Sequence, residues 1–217
     1  MKTKVSHKNS DLTSILVCHF GKCMNLARIK FISLFICSLC KVQCVCFEKL
    51  ASGFENQSHT SSSLRRIQRF ISLYSLDNDL IARLIFALLP NDPPYSIAID
   101  RTNWKFGESN INILVLAIVY QGVSFPILFK LMPKRGNSHT SERIEIMEHY
   151  IKLFGRETLG YLVADREFVG KKWFRMLALN KVPYFIRVKE NTLLPWGKDI
   201  SIPAKNLFHH LKKTQSR

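Results

Sequence analysis

Apolar positions in the first ninety residues recur at helical spacing. Residues 26–50 carry a candidate helix or helix pair whose most apolar run is Phe31 to Cys40. The helical stretch extends to Phe54, and Gly53 is placed to help the chain turn. Ser61, Ser62 or Ser63 is placed to cap a second helix. In that helix Leu64, Ile67, Phe70, Ile71 and Tyr74 form an apolar stripe, and Arg65, Arg66 and Arg69 fall on the other face. Two helices joined by a short polar turn, the second with arginines near its start, have the look of a helix-turn-helix. A third helix, DNDLIARLIFALL, closes the segment. The opening MKTKVSHKNSDLTSI is basic and then polar, and is assigned no element.

Pro90, Pro93 and Pro94 stop the helical pattern. Beyond them, short apolar runs alternate with helical ones. Tyr95 to Asp100 reads as a strand and residues 111–120 as a second. Gln121-Gly122 reads as a turn and Val123 to Leu131 as a third strand. Pro126 places that strand at an edge or at a bulge. A basic loop, PKRGNSHT, leads to a helix capped by Thr140 and closed by Gly155. GYLVADREF is a fourth strand ending in Asp165, GKKWFRMLALNK a helix, and PYFIRVKEN a fifth strand. This order predicts an α/β fold with a ribonuclease-H-like mixed sheet and flanking helices. The first three strands would form an antiparallel meander, with the fourth and fifth parallel to the first. A small all-helical region precedes it. The expected division is 1–90, helical, and 91–217, the sheet domain.

Composition adds a partner class. Of 217 residues, 47% are hydrophobic and 22% charged, so the chain can bury a core and is neither a fibre nor wholly disordered. The 32 Lys and Arg against 16 Asp and Glu give a net charge of +16 and a pI near 9.8. Such an excess favours a polyanion, because cationic side chains release the counterions condensed on nucleic acid. A ribosomal or membrane-surface protein would show the same balance. All six cysteines lie in the first 46 residues. Cys37 and Cys40 form a CxxC, but no second pair follows at zinc-finger spacing. They read as buried free thiols on a helix in a reducing cytosol. No signal peptide is visible, and the run bracketed by Lys30 and Lys41 is too short to span a bilayer. The expected location is cytoplasmic, away from membranes.

Asp100 and Asp165 carry the candidate chemistry. Each ends a run of buried-type residues, SIAI and YLVA. A carboxylate there costs desolvation free energy unless it is paired or binds a cation. The element order sets the two side by side, where like charges repel. A hard divalent ion, Mg²⁺ or Mn²⁺, would relieve both problems. Alternatively, each aspartate pairs with the arginine that follows it, Arg101 or Arg166.

The residues around these aspartates, SIAIDRTNWKFGESNINILVLAIVYQGVSFPILFKLMPKRGNS and YLVADREFVGKKWFRMLALNKVPYFIRVKEN, resemble insertion-sequence transposases of the DDE type, in the family named for insertion sequence four. KLASGFENQSHTSSSLRRIQRFI resembles that family's N-terminal DNA-binding segment. The resemblance runs from about residue 25 to 200. It implies a ribonuclease-H-like catalytic domain with two Mg²⁺ ions held by Asp, Asp and Glu, nicking of a transposon end, and attack of the freed 3′-hydroxyl on target DNA. Asp100 matches the first ligand, bridging both metals, and Asp165 the second. Double-stranded DNA would be the partner, bound by a homodimer, with the protein nucleoid-associated in that state.

The family's Glu lies in a Tyr-x2-Arg-x3-Glu-x6-Lys signature on a helix beyond an inserted β-rich segment. Tyr184 and Arg187 have the right spacing, but position 191 is Asn191, Glu190 is one short, and the final position is Lys198. PYFIRVKEN reads as a strand, so this near match is rejected. Glu142, Glu145 and Glu148 read as a solvated face. The chain is therefore expected to stop before its third ligand, as a truncated transposase. A non-catalytic DNA-binding fragment that competes with transposition is the alternative, and a nuclease acting on RNA a more distant one. Arg101, Lys105, Lys134, Arg135, Arg166, Lys171 and Lys172 join Arg65, Arg66 and Arg69 as DNA-contact candidates. Asn137 joins the loop with Lys134 and Arg135, and Arg187 and Lys189 are open in direction. Trp104 reads as core, with stacking on an unpaired base as the alternative, and His209 and His210 as a solvated tail.

Overall fold

The structure, a computed structural model, describes residues 3–196 and 200–208. Lys198, His209 and His210 therefore lie outside the described residues. The chain forms two compact units, Met1–Leu80 and Ile81–Arg217.

The first unit contains α1 (Thr3–Phe20), α2 (Leu26–Val42), α3 (Phe47–Ser52) and α4 (Thr60–Leu73). The sequence pattern did not reveal α1, because its buried Leu16 and Phe20 make only a narrow stripe on a polar helix. Asn25 caps α2, its Oδ1 accepting from the Arg28 N–H at 2.9 Å. Phe31, Leu50, Ala51, Phe54 and Ile67 form the core shared by α2, α3 and α4. Buried Ser38 donates from Oγ to the Leu50 carbonyl at 2.7 Å. A Cβ on Gly53 would lie 2.4 Å from that Oγ and 2.8 Å from Val42 Cγ2. Gly53 thus permits close helix approach; its φ of −79° is an ordinary helical value, not a left-handed turn.

Three local expectations are corrected here. His59 precedes α4, so Ser61, Ser62 and Ser63 lie inside its first turn instead of capping it. Ser63 is buried and accepts a hydrogen bond from Asn56 Nδ2 at 3.3 Å. Ile71 is 53% exposed, because the apolar stripe of α4 is narrower than its composition suggests. The six cysteines are free, but none is buried: Cys18, Cys23 and Cys40 are exposed and the others half-buried. On α2 the buried positions are taken by Ile29, Phe31, Ser33 and Ser38.

α5 (Asn78–Ala87) crosses the unit boundary, and its Ala82, Ile85 and Phe86 pack into the second unit's core. There follow β1 (Tyr95–Phe106), β2 (Ser109–Tyr120), β3 (Val123–Leu131), α6 (Thr140–Phe154), β4 (Leu159–Ala164), α7 (Lys171–Leu179), β5 (Tyr184–Ile186), β6 (Leu193–Pro195), β7 (Ser201–Pro203) and α8 (Ala204–Phe208). The main sheet has the order β3-β2-β1-β4-β5. β1–β2 and β2–β3 are antiparallel, whereas β1–β4 and β4–β5 are parallel. This is the expected ribonuclease-H-like sheet. β3 is an edge strand, and Pro126 sits opposite Ala117 at a register shift between Leu116 and Ala117, a place where a strand tolerates proline. Gln121 and Gly122 turn β2 into β3 with φ of 48° and 77°, as a tight hairpin requires.

β1 runs six residues past Asp100, and β2 begins two residues earlier than expected. Their extension carries exposed polar side chains, which mimic a loop in sequence. Trp104 pairs with Ile111 there and is 46% exposed, so it is not core. β4 ends at Ala164, and Asp165 opens a turn in which the Phe168 N–H donates to the Asp165 carbonyl at 3.0 Å. The fifth strand is three residues long, and the β6–β7 hairpin after it was not legible. One face of the sheet presents Ile97, Ile99, Leu114, Leu116, Ile118 and Leu162 to a core completed by Ile146, Met147 and Tyr150 of α6 and Trp173 and Leu177 of α7. Among the described residues no helix is long and apolar enough to cross a membrane.

Candidate active site

The last parallel pair between β1 and β4 is Ile99 with Ala164. Asp100 and Asp165 are the next residue on each chain. Parallel neighbours lie about 4.8 Å apart, and in-register residues face the same side of the sheet. Both aspartates share the parity of Ala98 and Val163, opposite to the buried Ile97, Ile99 and Leu162. The fold thus delivers two carboxylates to one end of the parallel ladder. Asp100 is a mid-strand residue, because β1 continues in its pairing with β2.

Both carboxylates are exposed, which removes the desolvation cost expected from their apolar flanks. The directly following arginines do not neutralise them. Asp100 Oδ1 accepts from the Arg101 backbone N–H at 2.7 Å, while the Arg101 guanidinium grips Glu167 with two bonds of 3.1 and 3.0 Å. Arg101 Nη2 also donates to Asn137 Oδ1 at 3.3 Å. Asp165 Oδ1 lies 3.6 Å from Arg187 Nη1, in an open pair. Glu167 was not singled out in sequence, although it lies in the same ADREF run.

The loop at 133–139 is held firmly beside this end. Buried Asn112 donates from Nδ2 to the Lys134 and Gly136 carbonyls, each at 3.0 Å. Arg143, 4% exposed, donates from Nε to Ser138 Oγ at 2.8 Å and from Nη2 to the Ser138 carbonyl at 2.7 Å. Its Nη1 reaches the Val169 carbonyl at 3.4 Å, and its guanidinium covers the Phe168 ring at 4.9 Å. One buried arginine therefore ties the 133–139 loop to the turn that begins with Asp165. Burial draws the Arg143 guanidinium below its usual value, partly offset by Glu167 and Glu142.

Glu142 is not part of a solvated face. Its carboxylate is 16% exposed and accepts from Lys134 Nζ at 2.7 Å and from the His139 N–H at 2.6 Å. His139, not Thr140, is the residue before α6. Burial alone would raise the Glu142 carboxyl, but the bonds from Lys134 and His139 outweigh it and hold it below its ordinary value of 4.5. A depressed carboxylate stabilises the fold above the unfolded value and loses that contribution as pH falls through the folded one. Glu142→Gln is therefore expected to cost about 1.5–3 kcal/mol near neutral pH. The gap to the unsubstituted chain should narrow as pH falls below the ordinary glutamate value of 4.5. Thermal unfolding across pH checks this, and a gap that stays constant would contradict it. Glu145 pairs with Lys130 and is mostly exposed, as expected of a surface residue.

Of the DNA-contact candidates in this unit, Lys105, Arg135, Arg166, Lys171 and Lys172 are exposed or half-exposed. Arg101 and Lys134 are engaged by Glu167 and Glu142. A 540 Å³ cleft is lined by Asn137, Arg166, Glu167, Val169, Lys189 and Thr192. Arg166 and Lys189 also line a second cleft of 430 Å³ with Arg187 and Glu190. Both clefts are therefore lined by cations, and Arg187 of the second also faces Asp165. In the first unit Arg65 and Arg69 lie toward solvent and Arg66 is more exposed than the core residues beside it.

Two oxygen donors in register suit one hard cation that keeps most of its water. Among the described residues no group of three or more His, Cys, Asp or Glu is arranged to hold a metal. Asp100 and Asp165 are the residues that would hold such an ion.

No protein-family profile matches the chain, and no curated protein matches it. Solved structures of similar outline include an intasome of simian T-cell lymphotropic virus in complex with PP2A regulatory subunit B56 gamma (12% identity, TM-score 0.37, covering 56% of this chain and 47% of that one). The HTLV-2 integrase catalytic core with magnesium is similar at 14% identity and TM-score 0.35, over 44% of this chain and 61% of that one. A large terminase of a thermophilic bacteriophage follows at 14% identity and TM-score 0.30, over 46% and 25%. The chain spans less than two thirds of each of these proteins. The fold assignment rests on strand order and direction, not on these likenesses.

Proposed function

We propose that the chain is a DDE-type DNA transposase polypeptide, of the family named for insertion sequence four, whose sheet unit holds a DNA phosphodiester at the Asp100–Asp165 end and whose helical unit binds duplex DNA. The observation that carries this reading is the placement of Asp100 and Asp165, each one residue beyond the last parallel pair Ile99–Ala164, at one end of the β1–β4 ladder, with Arg187 3.6 Å from Asp165. Asp100 and Asp165 would hold the divalent cation. A bound Mg²⁺ supplies Lewis-acid stabilisation of the attacking and leaving oxygens of a phosphodiester. Arg166 and Lys189 place positive charge where the backbone would lie. Arg143 and Asn112 keep the flanking loops in position, and position is most of what in-line phosphoryl transfer requires.

A second reading is a DNA-binding polypeptide without chemistry, able to compete for transposon ends. It is favoured by the absence, among the described residues, of a third acidic ligand beside the two aspartates. Both readings require DNA. Fluorescence anisotropy of the 217-residue chain with a labelled duplex is expected to show binding that weakens steeply as salt rises. Alanine at Arg65, Arg66 and Arg69 together should weaken it further. Salt-independent binding, or none, would sink both readings.

A further inference from the structure

The face of α4 that carries Arg66 and Arg69 lies beside the start of α2. With the start of α2 it borders a shallow, open groove of 360 Å³ lined by Arg28, Phe31, Arg66, Arg69, Phe70 and Tyr74, among others. Three arginines line it, and no acidic side chain does so among the described residues. None of the three is ion-paired among the described residues.

Two of the guanidiniums are held in place by aromatic rings. Arg28 lies over Tyr74 with its Cζ 4.5 Å from the ring centroid, and Arg66 lies over Phe31 at 5.5 Å. Phe31 packs on Phe70 at 4.7 Å, and Phe70 on Tyr74 at 5.2 Å. The rings form a continuous floor anchored in the core through buried Phe31. A guanidinium stacked on a ring spends its flat face on the ring and keeps its N–H edge for an acceptor. That edge suits the paired oxygens of a phosphate. Because Phe31 and Tyr74 already carry arginines, they are poorly placed to stack an unpaired base.

The geometry points to this groove as a phosphodiester-binding site for the backbone of duplex DNA, gripping one strand through Arg28, Arg66 and Arg69 without reading its sequence. The inference rests on the reading above that DNA is the partner, and it relocates the contact. Arg28, on α2, joins the interface, and Arg65, outside the groove, leaves it. Pre-orientation by the rings means that the arginines lose little freedom on binding.

The experiment uses the whole chain and a labelled duplex in anisotropy titrations over a range of salt. Arg28→Ala and Arg69→Ala should each weaken binding by about tenfold at low salt and reduce the salt slope by roughly one. Arg65→Ala should change the affinity by less than about twofold. Arg28→Lys keeps the charge but loses the planar fork, so it should retain the slope and part of the affinity. The loss should be equal on unrelated duplex sequences. Circular dichroism and thermal unfolding establish that each variant is folded. Arg28 is exposed at the first turn of α2, so its replacement should leave the core intact. If the chain binds DNA but Arg28→Ala and Arg69→Ala bind like the unsubstituted chain, or if Arg65→Ala causes the larger loss, the groove is not the site. If the unsubstituted chain does not bind duplex DNA, the DNA reading and this inference fall together.

Discussion

Trp173→Ala should unfold the sheet unit at temperatures where the unsubstituted chain is native. Trp173 is fully buried on α7 and belongs to the same core as Phe168, Leu162 and Tyr150. Removing a buried tryptophan side chain costs about 3–5 kcal/mol through lost transfer free energy and the cavity left behind. In a unit of this size that corresponds to a fall in Tm of roughly 10 °C or more. The indole Nε1 has no hydrogen-bond partner among the described residues. Trp173→Phe therefore discards an unsatisfied donor while keeping most of the packing, and should cost much less. Calorimetry of the two variants separates these cases. An alanine variant within about 1 kcal/mol of the unsubstituted chain would show that α7 does not pin the sheet. The consequence for the site is direct, because Phe168 closes the turn that begins with Asp165 and lies in this core.

The second large effect concerns chemistry. Supplied with Mg²⁺ or Mn²⁺ and DNA bearing transposon ends, the 217-residue chain is expected to bind without nicking or joining strands. Two carboxylates can hold one largely hydrated ion. Placing two ions across an in-line displacement needs a further ligand, and misplacement by about 1 Å costs orders of magnitude in rate. With Arg187 beside Asp165 and Arg101 locked to Glu167, no other carboxylate among the described residues joins the pair. A gel assay for nicked and joined products decides the matter. Strand cleavage that disappears with Asp100→Ala or Asp165→Ala would show that a third ligand is present, and Glu190 and Glu167 would be the first residues to replace. If a segment bearing the third Glu is supplied, activity should appear, and should depend on both aspartates.

The five strands of the main sheet were legible as apolar runs, and their directions followed from the turns and helices that connect them. SIAI and YLVA are such runs, and the proline in β3 marked its edge and bulge. The two aspartates were legible for the same reason, as charges that interrupt a buried pattern. What stayed hidden depended on tertiary partners. In α1 the apolar residues are scattered among polar ones, and Ile15 and Val17 are exposed beside the buried Leu16 and Phe20. The extension of β1 and β2 past the parallel ladder is solvated and looks like loop. Arg143 gave no sign in sequence of being buried, since an arginine in an EIMEH-type helix reads as surface; its burial depends on Ser138, Phe168 and Val169 arriving from two separate loops. Glu142 was misread as surface for a related reason, since Lys134 lies eight residues away across a turn. The Arg101–Glu167 pair displaced the simpler expectation that each aspartate is neutralised by its neighbour. In the helical unit, the groove needs Arg28 and Tyr74, which the chain separates widely and the fold brings together.

The central claim is that Asp100 and Asp165 act as one cation site. Water-proton relaxation or electron paramagnetic resonance with Mn²⁺ tests it most directly, using the unsubstituted chain, Asp100→Asn, Asp165→Asn and the double variant. The account predicts one bound Mn²⁺ per chain, lost on either single substitution, with the double variant no worse than the singles. Equal Mn²⁺ binding by the double variant and the unsubstituted chain would contradict it.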